Sequence, residues 1–165
     1  MSEVQDVDTS SVNLHVYSAS YQGYTKIARL VFLMDTFPRL KTVAAKYLLK
    51  ELKTGSNPTL YVKILQMVDE STRQELGCDD SIATTMQQTN HMKMEILESE
   101  LSSAKSAVMK EGTRLAYNDI GHLWYQIGNL TEALKSYLRT RDLCTIARHN
   151  CEMALNVISV SIDLK

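Results

Sequence analysis

The chain has 165 residues, with 18 Lys plus Arg against 19 Asp plus Glu for a formal net charge of -1, and 44% of its residues are hydrophobic. That is enough to bury the core of one ordinary domain. Only 6 Gly and 2 Pro leave too little turn chemistry for a many-stranded sandwich or barrel, or for a Gly-rich phosphate cradle. Near-neutral charge also removes the general case for a nucleic-acid or membrane-surface binder, though not for a local patch.

Cys78, Cys144 and Cys151 are an odd number without the paired spacing of a zinc site, which points to a reducing compartment and no disulfide framework. No basic start leads into an apolar run, and no apolar stretch reaches the roughly 18 residues of a membrane span. The expected locations are the nucleus and the cytoplasm. Charge is banded along the chain: residues 1–20, 21–53, 54–101 and 102–165 carry net charges of -3, +5, -5 and +2. Such alternation suits either neighbouring elements that attract one another or a banded surface offered to partners.

In chain order, residues 1–20 have no sustained period and are expected to be a mobile N-terminal segment, apart from a short apolar piece at Leu14 to Tyr17. From Thr25 the period becomes helical, with Ile27, Leu30, Val31 and Met34 on one face. Pro38 predicts a break near Phe37. A second helix then runs to about Lys53 with Ala44, Tyr47, Leu48 and Leu52 inward, and stops at Gly55. Asn57 before Pro58 reads as an N-cap opening a third helix, which buries Tyr61, Ile64, Leu65 and Val68 and ends at Gly77. From Asp80 to Lys110 no Gly or Pro occurs, and Met94, Leu97, Leu101, Ala104 and Val108 form a stripe. One long helix packed along its own domain is expected there.

The most specific local pattern is C-terminal. Tyr117, Ile120, Gly121, Trp124, Gly128, Leu130, Ala133 and Tyr137 follow the spacing of a tetratricopeptide repeat over residues 114–147. Gly121 and Ala133 are small where two antiparallel helices cross, and Trp124 and Tyr137 fill the space beside them. Asn129 with Glu132 predicts a capping box at the second helix. Thr140 and Thr145 depart from the repeat consensus. The expected architecture is therefore all-α, a right-handed TPR-like helical-repeat solenoid over residues 21–165.

Two longer stretches carry a resemblance. Tyr21-Gln-Gly23-Tyr-Thr25-Lys26-Ile27-Ala-Arg29-Leu30-Val-Phe32 resembles the opening segment of the COP9 signalosome subunit one family. Tyr137-Leu-Arg139-Thr140-Arg141-Asp142-Leu-Cys144-Thr145, followed by His149, Met153, Asn156, Ile158, Val160 and Ser161, is similar to that family almost position by position. Leu97, Glu98, Glu100, Leu101, Lys110, Glu111, Arg114, Asn118 and Asp119 keep the register between them. The resemblance implies a noncatalytic scaffold subunit of the complex that removes Nedd8 from cullins. Its implied partners are other signalosome subunits and cullin-RING ligase components. It also implies a chain that stops before further repeats and a winged-helix PCI domain. The paralogous proteasome-lid subunit shares this architecture.

Enzyme signatures are missing from the sequence: there is no His-x-His, His-Glu-x-x-His, Gly-x-Ser-x-Gly, Walker loop or dinucleotide fingerprint. His15, His91, His122 and His149 are scattered, so no catalytic residue, metal ligand or cofactor is assigned. Lys26, Arg29, Arg39, Lys41, Lys46, Lys50 and Lys53 make a basic band, but without an aromatic stacking platform it is weak ground for nucleic-acid binding. The residues assigned to partner binding are Lys26, Arg29, Arg139, Arg141, Ile158 and Ile162. The last two lie on a final helix whose apolar arc, roughly 220 degrees against the roughly 100 degrees a surface helix needs, predicts either cover by another element or self-association.

Overall fold

The computed structural model describes residues 14–164. Among them are nine α-helices, two short 3-10 turns and no strand. The helices are α1 (Leu14–Ala19), α2 (Gly23–Thr36), α3 (Lys41–Lys53), α4 (Pro58–Gln66), α5 (Glu70–Leu76), α6 (Asp80–Ser106), α7 (Lys110–Ile127), α8 (Leu130–Arg139) and α9 (Ala147–Asp163). The all-helical expectation holds. Residues 1–13 of the expected mobile segment lie outside the described residues, whereas residues 14–19 form α1, anchored by the buried Leu14 and Ser18. No described helix is long and apolar enough to cross a membrane.

The chain divides into two compact units. The first comprises the described residues to Gly55 with Thr59–Ala83, and the second Ser56–Pro58 with the residues from Thr84 onward. In the first unit α2 and α3 form an antiparallel pair whose turn is set by Pro38, the first residue of a 3-10 turn that follows Phe37. Leu30, Met34, Ala44, Leu48 and Leu52 are buried as the period predicts, together with Leu33, Ala45 and Leu49. Tyr61, Ile64, Leu65 and Val68 are buried too.

The predicted third helix is in fact two, because Asp69 interrupts it. Asp69 sits at φ -65, ψ 154 and its carboxylate accepts the Thr72 backbone N–H at 3.0 Å, capping a fresh helix start. Before it, Met67 and Val68 donate to the carbonyls of Ile64 and Leu65, tightening the last turn of α4.

The predicted fourth helix also stops early, at Ser106. Met109 N–H reaches back to the Ala104 carbonyl and Val108 N–H to that of Lys105, the paired bonds that close a helix through one left-handed residue. Gly77 and Gly128 play that part after α5 and α7, with φ of 58 and 90 degrees. After α6 the residue is Val108, at φ 55. Val108 is therefore not part of the buried stripe, being 84% exposed, and Met94, Leu97, Leu101 and Ala104 are half-buried.

A β-branched residue is costly in this conformation. Val108→Gly is expected to stabilise the protein by roughly 0.5 to 1 kcal/mol, the relief of about 1 to 2 kcal/mol of left-handed strain less the extra backbone entropy glycine loses on folding. A urea midpoint that stays put or falls in the variant would show that the turn carries no such strain.

Candidate functional site

The second unit owes its shape to α7, α8 and α9. Gly128 lets α7 end and Asn129 starts α8, its side chain accepting the Glu132 N–H at 3.2 Å. Only this half of the predicted capping box forms. The Asn129 N–H already donates to the Trp124 carbonyl, and the Glu132 carboxylate takes Lys135 at 2.7 Å.

The antiparallel α7–α8 crossing is as close as the repeat spacing requires. A Cβ on Gly121 would lie 2.6 Å from Cε1 of Tyr137. Tyr137 and Ala133 are buried, and burial pushes the Tyr137 phenol up to about 12.

Helix α9 lies beside α7 in one fixed register. His149 is paired with Glu111, Glu152 with Arg114, Asn156 with Asn118, and Asp163 with Tyr125. The last two contacts are hydrogen bonds of 3.0 and 2.6 Å, and each spans 38 positions in sequence. Four rungs with one offset mean that α9 runs parallel to α7, as first helices of successive repeats do. The offset exceeds the 34 residues of the tetratricopeptide template because the 3-10 turn Arg141–Leu143 is inserted after α8.

Two polar networks hold these helices together. Arg114 is buried, its side chain only 6% exposed, and its guanidinium donates to both oxygens of Glu111 at 3.0 and 2.7 Å. Glu152 lies 3.8 Å from the same guanidinium and accepts Arg148 at 3.0 Å. These hydrogen bonds, with the charge of Arg114, hold the Glu111 carboxyl below the ordinary carboxylate range. The buried Nδ1 of His149 lies 3.5 Å from Glu111 but makes no hydrogen bond of adequate geometry.

The second network is a relay: the Asn156 amide donates to Asn118, which lies 3.0 Å from His122 Nε2, and His122 Nδ1 lies 2.8 Å from the Tyr137 hydroxyl. With Asn118 donating, donor and acceptor arithmetic assigns the Nδ1–H tautomer to His122. An open groove of ≈ 290 Å³ lies alongside, between Lys93, Ile96 and Leu97 of α6 and Asp119, His122, Leu123 and Gln126 of α7.

The six residues assigned to partner binding do not form one site. In the first unit Lys26 is ion-paired with Glu51 at 2.5 Å, and Arg29 lies over the Tyr21 ring at 5.4 Å. Lys46 and Lys53 are likewise occupied, by Glu75 and by the carbonyls of Leu76 and Gly77. Much of the basic band is thus engaged within its own unit. In the second unit Arg139 and Arg141 lie at the end of α8 and in the 3-10 turn, both exposed. Ile158 and Ile162 project from α9 at 54% and 62% exposure, with Leu155 beside them at 64%. Only Val160 of α9 is buried.

No group of three or more His, Cys, Asp or Glu among the described residues has the arrangement of a metal site. Lys105 and Tyr117 carry a feature that sequence reasoning missed: Lys105 Nζ lies 4.9 Å and Arg139 Cζ 5.7 Å from the centre of the Tyr117 ring. Three helices supply that cluster, so no local pattern announces it.

Comparison with known proteins adds two findings. A family model described as 26S proteasome subunit RPN7 matches residues 79–165. The chain is 33% identical over 156 residues to COP9 signalosome complex subunit 1 of Arabidopsis thaliana, covering 93% of this chain and 35% of that protein. It is 30% identical over 152 residues to the subunit 1 of Emericella nidulans, covering 91% and 30%. It is 26% identical over 208 residues to subunit 1b of Drosophila melanogaster, covering 96% and 40%. The chain therefore spans about a third of the length of the curated relatives it matches.

Proposed function

The chain belongs to the RPN7 family, and from that premise we propose that it is a noncatalytic scaffold subunit of a COP9 signalosome, working in the nucleus and cytoplasm within a complex that removes Nedd8 from cullins. Similarity to signalosome subunit 1 proteins along more than nine-tenths of the chain carries this reading. A scaffold needs addressable surface more than a reactive centre, and the parallel α7–α9 arrangement supplies one. Leu155, Ile158 and Ile162 form an apolar stripe along α9 that another helical element or subunit covers. Arg29 and Lys26 add polar contacts from the first unit, and Arg139 and Arg141 from the second. The partners in this reading are other signalosome subunits, with cullin-RING ligase components reached through them.

The family description, 26S proteasome subunit RPN7, favours a second reading as a proteasome-lid scaffold. One experiment separates the two: affinity capture with the tagged chain from cells of its source, beside the double variant Ile158→Glu/Ile162→Glu. The parent is expected to recover signalosome subunits and the variant to lose most of them while keeping its helicity. Recovery of proteasome-lid subunits instead would establish the second reading, and recovery of neither would overturn both. Light scattering of the same two proteins shows whether the isolated chain covers the stripe with a second copy; a parent that forms dimers and a variant that does not would mark the stripe as self-associating.

A further inference from the structure

Antiparallel α7 and α8, with α6 running into α7 through residues 107–109, bring the C-terminus of α6, the N-terminus of α7 and the C-terminus of α8 to one end of the second unit. Lys105, Lys110, Arg139 and Arg141 gather there, and all four are exposed. Two carboxylates at this end are already engaged, and Asp142, beside Arg141, makes no ion pair with it. Glu111 holds Arg114, and Glu152 holds Arg148 and faces Arg114. None of the four cations makes an ion pair with a carboxylate among the described residues. Two of them converge instead on a single ring, Tyr117.

An aromatic face attracts a cation through its quadrupole, but one ring cannot neutralise two charges. What it does is fix a flexible lysine and an arginine fork near one another before any counter-charge arrives. Preorganised cations beside a tyrosine form a receptor for carboxylates, because an incoming acidic side chain neutralises both without having to order them. The setting is also apolar: Leu138, next to Arg139, and Met109, in the turn after α6, are 48% and 59% exposed. We propose that Lys105, Tyr117 and Arg139 form a docking site for an acidic, apolar peptide segment of a protein partner, with Lys110 and Arg141 extending its positive rim.

This site shares no residue with the α9 stripe and does not depend on the identity of the assembly, so it is tested on the purified full chain with a defined probe. A fluorescein-labelled peptide of repeated Glu-Glu-Leu triplets, its Gln-Gln-Leu counterpart and a labelled single-stranded oligodeoxynucleotide are titrated by anisotropy at low and at moderate salt. The Glu peptide is expected to bind, the Gln peptide not to, and Lys105→Gln/Arg139→Gln to weaken binding at least tenfold. Tyr117→Phe, which keeps the ring, is expected to bind as the parent does. Melting curves verify that the variants are folded, as substitutions of two exposed side chains leave the core intact. An equal loss in the first-unit control Lys41→Gln, an unchanged affinity in the double variant, or no binding of the Glu peptide at low salt would overturn the proposal. Equally tight binding of the oligonucleotide at the same salt would overturn it too, by showing a general polyanion surface.

Discussion

Gly121→Leu is expected to unfold far below the parent's melting temperature, with a loss of about 3 kcal/mol or more, the upper end of what overpacking a close contact costs. The reason lies in what the new side chain meets. A Cβ alone would stand 2.6 and 2.7 Å from Cε1 and Cδ1 of Tyr137, and those are atoms of a rigid ring. Tyr137 is 2% exposed and its hydroxyl is held by His122, so the ring has nowhere to swing and α8 must shift bodily. Gly121→Ala should therefore already be costly. Combining it with Tyr137→Leu should recover part of the loss, because neighbours in contact are not additive. Parental melting of Gly121→Leu would refute the helix crossing described here.

Arg114→Met carries the second large effect. Breaking a buried ion pair costs about 3 to 5 kcal/mol when the stranded charge stays buried. Here the side chains of Glu111 and Glu152 are 49% and 43% exposed and can turn to water, so a loss of about 2 kcal/mol is expected at neutral pH, where methionine keeps much of the packing volume. The pH dependence gives the assignment its signature. Glu111 titrates below its ordinary value of 4.5 in the folded parent, so its contribution is complete above that value and disappears as pH falls through the lowered one. The gap in stability between parent and variant should accordingly narrow below about pH 4.5 and stay constant above it. A gap that does not change with pH would mean that Arg114 acts by packing alone.

The α7–α8 crossing was legible in the sequence because two small residues and two aromatic ones at fixed spacing have few other uses. The same holds for Pro38 and the buried stripes of α2, α3 and α4. Two helix ends were not legible, for opposite reasons. Asp69 followed by Thr72 is an ordinary capping pair, but the apolar period of α4 runs up to Val68 and hides it. Val108 gives no signal at all, since valine is among the last residues expected in a left-handed conformation.

Arg114 was legible as a helical residue one turn from Glu111, yet the second carboxylate it faces, Glu152, comes from α9, 38 positions away. The tetratricopeptide template also set the repeat four residues short, because Arg141–Leu143 reads as helix or loop equally well. Of the candidate site, Arg139 was named from sequence for partner binding and Tyr117 only as one position of the repeat spacing. That the two face one another across α7 and α8, with Lys105 arriving from α6, is a property of three helices at once.

The common offset between α7 and α9 also says something about how this region tolerates change over generations. The rungs fall into three groups, Glu111–His149 with Arg114–Glu152, then Asn118–Asn156, then Tyr125–Asp163, so a substitution in one group leaves the others in place. Length is another matter. Removing one residue from α9 after Ala147 would rotate everything beyond it by about 100 degrees, and the rungs past the deletion would part together. Residues 144–146, between the 3-10 turn and α9, anchor no rung and are the place where an insertion disturbs least. Lineages of this chain are thus held to the count of α7 and α9 as strictly as to letters such as Arg114 and Gly121, and vary the count more easily where α8 is joined to α9.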